Sequence, residues 1–96
     1  MNRLELNAQI ESISVLRYSP GGLPVLDFLL LHESTVLEAG QSRKIQLTMK
    51  SIAMGTLAER ISRFDLGSTW LFHGFLGSSK NLKSVVYHIQ EIHTVS

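Results

Sequence analysis

Between Asn2 and Val15 the apolar residues change parity once, and that single change narrows the folds open to the chain. Leu4, Leu6, Ala8 and Ile10 recur at every second position, and Ile13 and Val15 continue the alternation on odd positions. Period-two alternation describes a strand with one face buried. The switch near Glu11-Ser12 is one extra residue, which is what a β-bulge contributes, and a bulge bends and twists the strand that carries it. A long bent strand of this kind can serve two sheets of a small barrel. Tyr18-Ser19-Pro20-Gly21-Gly22 follows, with Pro to fix φ and Gly to supply positive φ, and reads as a hairpin turn. The dense apolar run from Leu23 to Glu33 is then a second long strand.

The rest of the chain extends the same pattern. Ser34 to Gly40 reads as a polar, acidic connector. Ile45, Leu47 and Met49 alternate as a third strand, and Ile52 and Met54 take the opposite parity, so Lys50-Ser51 is a second expected bulge. The other face of that strand carries Lys44, Gln46, Thr48 and Lys50. Leu57, Ala58, Ile61 and Phe64 have helical spacing, which predicts a short helix over Thr56 to Phe64. Thr56 and Glu59 would form its capping box. Thr69 to Leu76 is a fourth strand, apolar on both faces, in which Gly74 marks a bend or a close backbone approach. Gly77 to Asn81 is a loop. Ser84 to Val95 is a fifth strand, with Val85, Tyr87 and Ile89 on one face and Val86, His88 and Ile92 on the other. The expected fold is all-β: one OB-fold domain over residues 1–96, a five-stranded Greek-key barrel with one short helix between its third and fourth strands.

Composition excludes several function classes. A chain of 96 residues without cysteine has room for one modest core and holds no disulfide framework or thiolate zinc site. No apolar run reaches signal-peptide or membrane-span length, so a cytoplasmic protein with no membrane partner is expected. His32, His73, His88 and His93 lack metal-ligand spacing and an evident acidic partner, so no metal is expected. Ser78-Ser79-Lys80 has no nucleophile elbow around it, and Gly21-Gly22 lacks the Lys-Ser/Thr of a phosphate loop. Neither an enzyme nor a cofactor is expected.

Two binding surfaces are expected instead. Val25, Leu29 and Leu31 face one way along the second strand and Leu26, Phe28 and Leu30 the other, while a barrel consumes only one of those faces. The surplus apolar face predicts a two-fold homodimer built from the first half of the chain, with Leu4, Leu6, Leu26, Phe28 and Leu30 as its interface. Net charge is only +1, from 9 Lys+Arg against 8 Asp+Glu, so the placement of the charges matters more than their sum. Arg43, Lys44 and Lys50 on a strand, with Lys80 and Lys83 on the loop above and Arg17 and Tyr18 at the edge, would make a basic groove for a single strand of nucleic acid. Phe75 and Tyr87 are the candidate stacking platforms.

These residues also carry a resemblance. Asn2 to Leu6, Arg17-Tyr18-Ser19-Pro20-Gly21-Gly22-Leu23-Pro24-Val25, Phe28, and Leu31-His32-Glu33-Ser34 resemble the first half of the primosomal replication protein N (PriB) family, which is related to bacterial single-stranded-DNA-binding proteins. Gly74-Phe75-Leu76, Leu82 and His88-Ile89-Gln90-Glu91-Ile92 are similar to its last hairpin. The resemblance implies a homodimer of OB folds that binds single-stranded DNA in replication restart. Its implied partners are the restart helicase, the downstream primosome loading factor and single-stranded-DNA-binding protein. The longer single-stranded-DNA-binding proteins carry an acidic tail, and Thr94-Val95-Ser96 is not one, which favours the primosomal family. Arg43 falls on the family's basic position at the start of the third strand. Gln46 stands where some members have a stacking Trp. The alternatives are an OB-fold protein-interaction adaptor with little DNA affinity, or a short single-stranded-DNA-binding protein paralogue.

Overall fold

The computed structural model describes residues 1–95. Its elements are β1 (Leu4–Ile13), β2 (Arg17–Tyr18), β3 (Pro24–Glu38), β4 (Gln41–Met54), α1 (Thr56–Ile61), β5 (Thr69–Ser78) and β6 (Val85–Thr94). The sheet runs β1-β5-β6-β4-β3-β2, and a further β1–β3 pairing closes it into a five-stranded barrel with β2 outside the ring. This is the OB architecture, with the helix between the third and fourth barrel strands.

The bent first strand makes the closure possible. Leu4 to Gln9 pair with β5, and Gln9 to Ile13 pair with β3. The register slips between Ile10 and Ser12, at the expected parity change. Inside the barrel, Ile10, Leu26, Leu30, Ala58, Ile61, Phe72 and Tyr87 are fully buried. Burying a side chain of the size of Ile10, Leu26, Leu30 or Phe72 contributes roughly 1.5–3 kcal/mol each.

The second expected bulge is absent. The β3–β4 register is unbroken from Val25↔Met54 to Glu38↔Gln41. Inward positions after Met49 are filled by Ser51 and Ala53, both buried, while Ile52 and Met54 face out. Small residues fill the core there, and the Ser51 hydroxyl donates to the Met49 carbonyl (3.2 Å).

Ser34 to Gly40 is also not a connector. β3 continues to Glu38 and turns through Ala39 and Gly40, with φ of 53° and 77°. Two positive φ values make the twisted two-residue turn that suits a hairpin. Beyond Leu31, the last β3 residue paired with β1, the ribbon leaves the barrel as a two-stranded arm. The arm accounts for the 51 × 31 × 22 Å extents of the molecule. His32 anchors its base: one ring nitrogen, Nδ1, lies 2.6 Å from the Asn7 carbonyl, and Nε2 lies 2.8 Å from the Ser34 hydroxyl. A neutral ring protonated at Nδ1 satisfies both contacts, donating to the carbonyl and accepting from the hydroxyl.

The helix is shorter than expected. It ends at Ile61, and i→i+3 hydrogen bonds close the chain through Phe64, which stacks on Trp70 (centroids 4.4 Å apart). Its N-cap is Gly55, with φ 75°, and no side chain caps it, so the Thr56–Glu59 box does not form.

Tyr87 ties β6 to the opposite wall. Its hydroxyl lies 2.8 Å from the Leu4 carbonyl and 3.0 Å from the Phe72 carbonyl and shares its proton between them. Burial, with a smaller contribution from the Glu5 charge, pushes its pKa up to about 12 from 10.0. The folded state therefore holds this proton more tightly than the unfolded chain. The associated stability is intact below pH 10 and lost as pH rises through about 12. Circular dichroism should show alkaline unfolding in that window. Tyr87→Phe should start roughly 1 kcal/mol less stable and show a shallower loss of stability there.

Candidate nucleic-acid interface

Directly paired residues on neighbouring strands share a face of the sheet, so the registers lay out the outer wall of the barrel. One row runs Asp27, Ile52, His88, Phe75 across β3, β4, β6 and β5. The next pairs along β3 and β4 are Leu29 with Lys50, Leu31 with Thr48, Glu33 with Gln46 and Thr35 with Lys44, climbing from the barrel onto the arm. Lys44, Gln46 and Lys50 thus lie on one continuous face, all exposed. Lys50, Leu29, Asp27 and Val86 line one open groove where β6 meets β4. Phe75 and His88, both half-buried, stack on each other with centroids 4.7 Å apart and planes 8° from parallel, one row along the wall from Lys50.

The β5–β6 loop is organised by Asn81. Its Oδ1 accepts from the Ser79 hydroxyl (2.6 Å) and from the Lys83 amide (3.0 Å). Lys80 and Lys83 are exposed on this turn. Lys83 is three residues from Val86, within about 10 Å of the groove along the chain.

The structure separates other residues that the sequence grouped. Arg43 alternates with Lys44 and faces the reverse side of the arm, where its Nε donates to Glu38 (2.9 Å). Arg17, on the short strand β2, is paired with Asp27 at 3.0 Å. Tyr18 beside it is exposed. Glu33 sits between Lys44 and Lys50 on the outer face and accepts from Gln46 Nε2 (3.3 Å). Such exposed pairs contribute only about 0–1 kcal/mol to stability, but their carboxylates offset the positive field of the face. Tyr87 is 0% exposed inside the barrel and offers no ring to a base. His88, its neighbour of opposite parity, does face outward.

The expected dimer interface is corrected too. Leu26, Phe28 and Leu30 are in the barrel core, and Leu4 and Leu6 are half-buried against it. The apolar residues of β3 left outside the core are Leu29 and Leu31, both half-buried, and Val36 and Leu37 on the arm, both exposed. The histidines are not all isolated either: His73, Glu91 and His93 present ligand atoms within 4.8 Å of one another. Glu91 and His93 are two apart on one strand, a signal visible in the sequence, but His73 joins them only through the β5–β6 register.

Comparison with known proteins decides the family. A family described as another single-strand binding protein family matches residues 2–91. Replication restart protein PriB of Bordetella pertussis is 38% identical over 97 residues, spanning 100% of this chain and 91% of the relative. The chain belongs to the PriB family. The Nitrosomonas europaea member is 32% identical over 91 residues, covering 94% of this chain and 84% of its own. Among solved structures, PriB of Ralstonia solanacearum superposes with a TM-score of 0.89 at 28% identity, over 100% of this chain and 99% of that one. The single-stranded DNA binding protein of Thermus aquaticus shares the fold, with a TM-score of 0.79 at 22% identity over 100% of this chain and 51% of that one. The PriB family is related to single-strand binding proteins and is not a family of enzymes. Among the described residues no helix is long and apolar enough to cross a membrane.

Proposed function

We propose that the protein is a primosome accessory factor that binds single-stranded DNA along the outer wall of β3, β4, β6 and β5 during replication restart in the cytoplasm. Lys44 and Lys50 neutralise phosphates on the wall, and Lys80 and Lys83 do so from the loop. Phe75 and His88 offer the aromatic surface on which a base stacks. The observation that carries this reading is the shared face of Lys44 and Lys50, one row along the wall from the Phe75–His88 stack. The protein acts as a homodimer that joins the restart helicase to single-stranded DNA and to the downstream loading factor, in the presence of single-stranded-DNA-binding protein. The edge of β1 from Leu4 to Ala8, opposite its pairing with β5 and ahead of its pairing with β3, offers the two-fold contact. Sedimentation at micromolar concentration should give twice the 10.7 kDa of one chain. A parent that sediments as monomer overturns the dimer.

A second reading is favoured by one observation: Arg17 and Arg43 are already held by carboxylates, and Glu33 lies between the two wall lysines. On that reading the protein is an adaptor with little DNA affinity. Anisotropy of labelled oligo-dT at low and moderate salt separates the two. Salt-sensitive binding supports the DNA-binding function, and no binding at low salt supports the adaptor.

A further inference from the structure

We propose that His73, Glu91 and His93 form a binding site for one first-row transition-metal ion of the zinc class. Two strands, β5 and β6, supply the three residues, and Glu5 on β1 joins them on one outer face. Glu5 pairs with His73 across β1–β5, and His73 pairs with Glu91 across β5–β6. His93 follows Glu91 by two residues and so returns to the same face. The register slip after His73 leaves Gln90 without a partner on β5. That extra residue brings Glu91 and His93, rather than Gln90 and Ile92, onto the face of His73, because a bulge re-aims the side chains that follow it.

The Glu91 carboxylate is the hub. Its Oε2 lies 3.9 Å from His73 Nδ1 and 3.7 Å from His93 Nε2. Glu5 Oε1 lies 3.4 Å from the same His73 nitrogen. Zinc bonds of about 2.0–2.1 Å place tetrahedral donor atoms roughly 3.3 Å apart. The three donors are therefore slightly too open, and small rotations close them. His73 is the fixed member, with its side chain only 20% exposed, whereas Glu91 and His93 are at 65% and 55% and are free to rotate. Two imidazoles and a carboxylate suit zinc, nickel or copper and disfavour magnesium, which requires oxygen donors. A fourth position is left to water or to Glu5.

One feature limits the affinity. His73 Nε2 is buried and has no hydrogen-bond partner among the described residues. A metal on Nδ1 puts the ring proton on Nε2, where it lacks the acceptor that usually supports a ligating histidine. The missing partner is expected to weaken the affinity by about 10- to 100-fold relative to a fully supported site.

The test is calorimetric titration of the tag-free protein with zinc alone, and with magnesium alone, at neutral pH. The expected result is one zinc per chain, no magnesium binding, and an affinity weakened at least about tenfold in His93→Ala and in Glu91→Gln. Both positions are exposed, so the folds of these variants are not at risk. Cobalt in place of zinc should give a visible absorption band in the parent that His93→Ala lacks. No saturable zinc binding, or zinc binding that both variants retain unchanged, would overturn the site.

Discussion

Gly74→Ala is expected to lose several kcal/mol of stability, on the order of 3–5. A Cβ at this position would overlap the carbonyl oxygen of His88, with the His88 carbonyl carbon at 2.9 Å and Ile89 Cα at 3.1 Å. All three are backbone atoms in the β5–β6 ladder, so no rotamer change relieves them. The strands must separate at the bulge, which is also where the barrel wall turns. At roughly 4–8 °C per kcal/mol for a domain of this size, the melting temperature should fall by about 12–40 °C. Gly77→Ala is the control. Its Cβ would meet only the His88 ring, 2.9 Å from Nε2, and a half-buried side chain can swing aside, so its cost should be nearer 1 kcal/mol. Thermal melts of the two variants should differ widely, and equal melts would show that the close approach at Gly74 is not structural.

Gln46→Trp is expected to raise affinity for oligo-dT by about 5- to 150-fold, the equivalent of one base stacked on an aromatic at roughly 1–3 kcal/mol. Gln46 is exposed in the middle of the wall, between Lys44 and Lys50. Its partner among the described residues is the exposed Glu33, and losing that bond costs little. Stacking releases few counterions, so the slope of log K against log salt should stay that of the parent. A variant that binds no more tightly would mean that bases do not pass over β4.

What the residues revealed in advance depended on burial. The bulge near Glu11-Ser12 was legible because Ala8, Ile10 and Ile13 alternate against a core, so a slip shows as a change of parity. The parity change at Lys50-Ser51 marks no bulge. There the inward positions are Ser51 and Ala53, and the larger apolar residues, Ile52 and Met54, face out. The arm from Ser34 to Gly40 left no trace in the pattern, since a two-stranded ribbon with both faces in water has no apolar period to read. Its turn, Ala39-Gly40, also lacks the Asn or Asp that usually marks such a hairpin. Tyr87 and His88 show the limit at the site. Their opposite parity was evident, but which face enclosed the core was decided only by packing. The grouping of His73 with Glu91 and His93 needed a register that skips Gln90, which no spacing rule predicts.

The central claim, that single-stranded DNA runs along the outer wall rather than over the reverse of the arm, is tested most directly by the salt dependence of oligo-dT binding in Lys44→Ala/Lys50→Ala beside Arg43→Ala. Each phosphate contact on a single strand contributes about 0.7 to the slope of log K against log salt. The double variant should lose about 1.4 from that slope, and with it roughly 25-fold in affinity at 0.1 M salt, while Arg43→Ala, on the reverse face and held by Glu38, should keep the parent's slope. A double variant with the parent's slope and affinity, or an Arg43→Ala variant that loses as much per charge, would contradict the account.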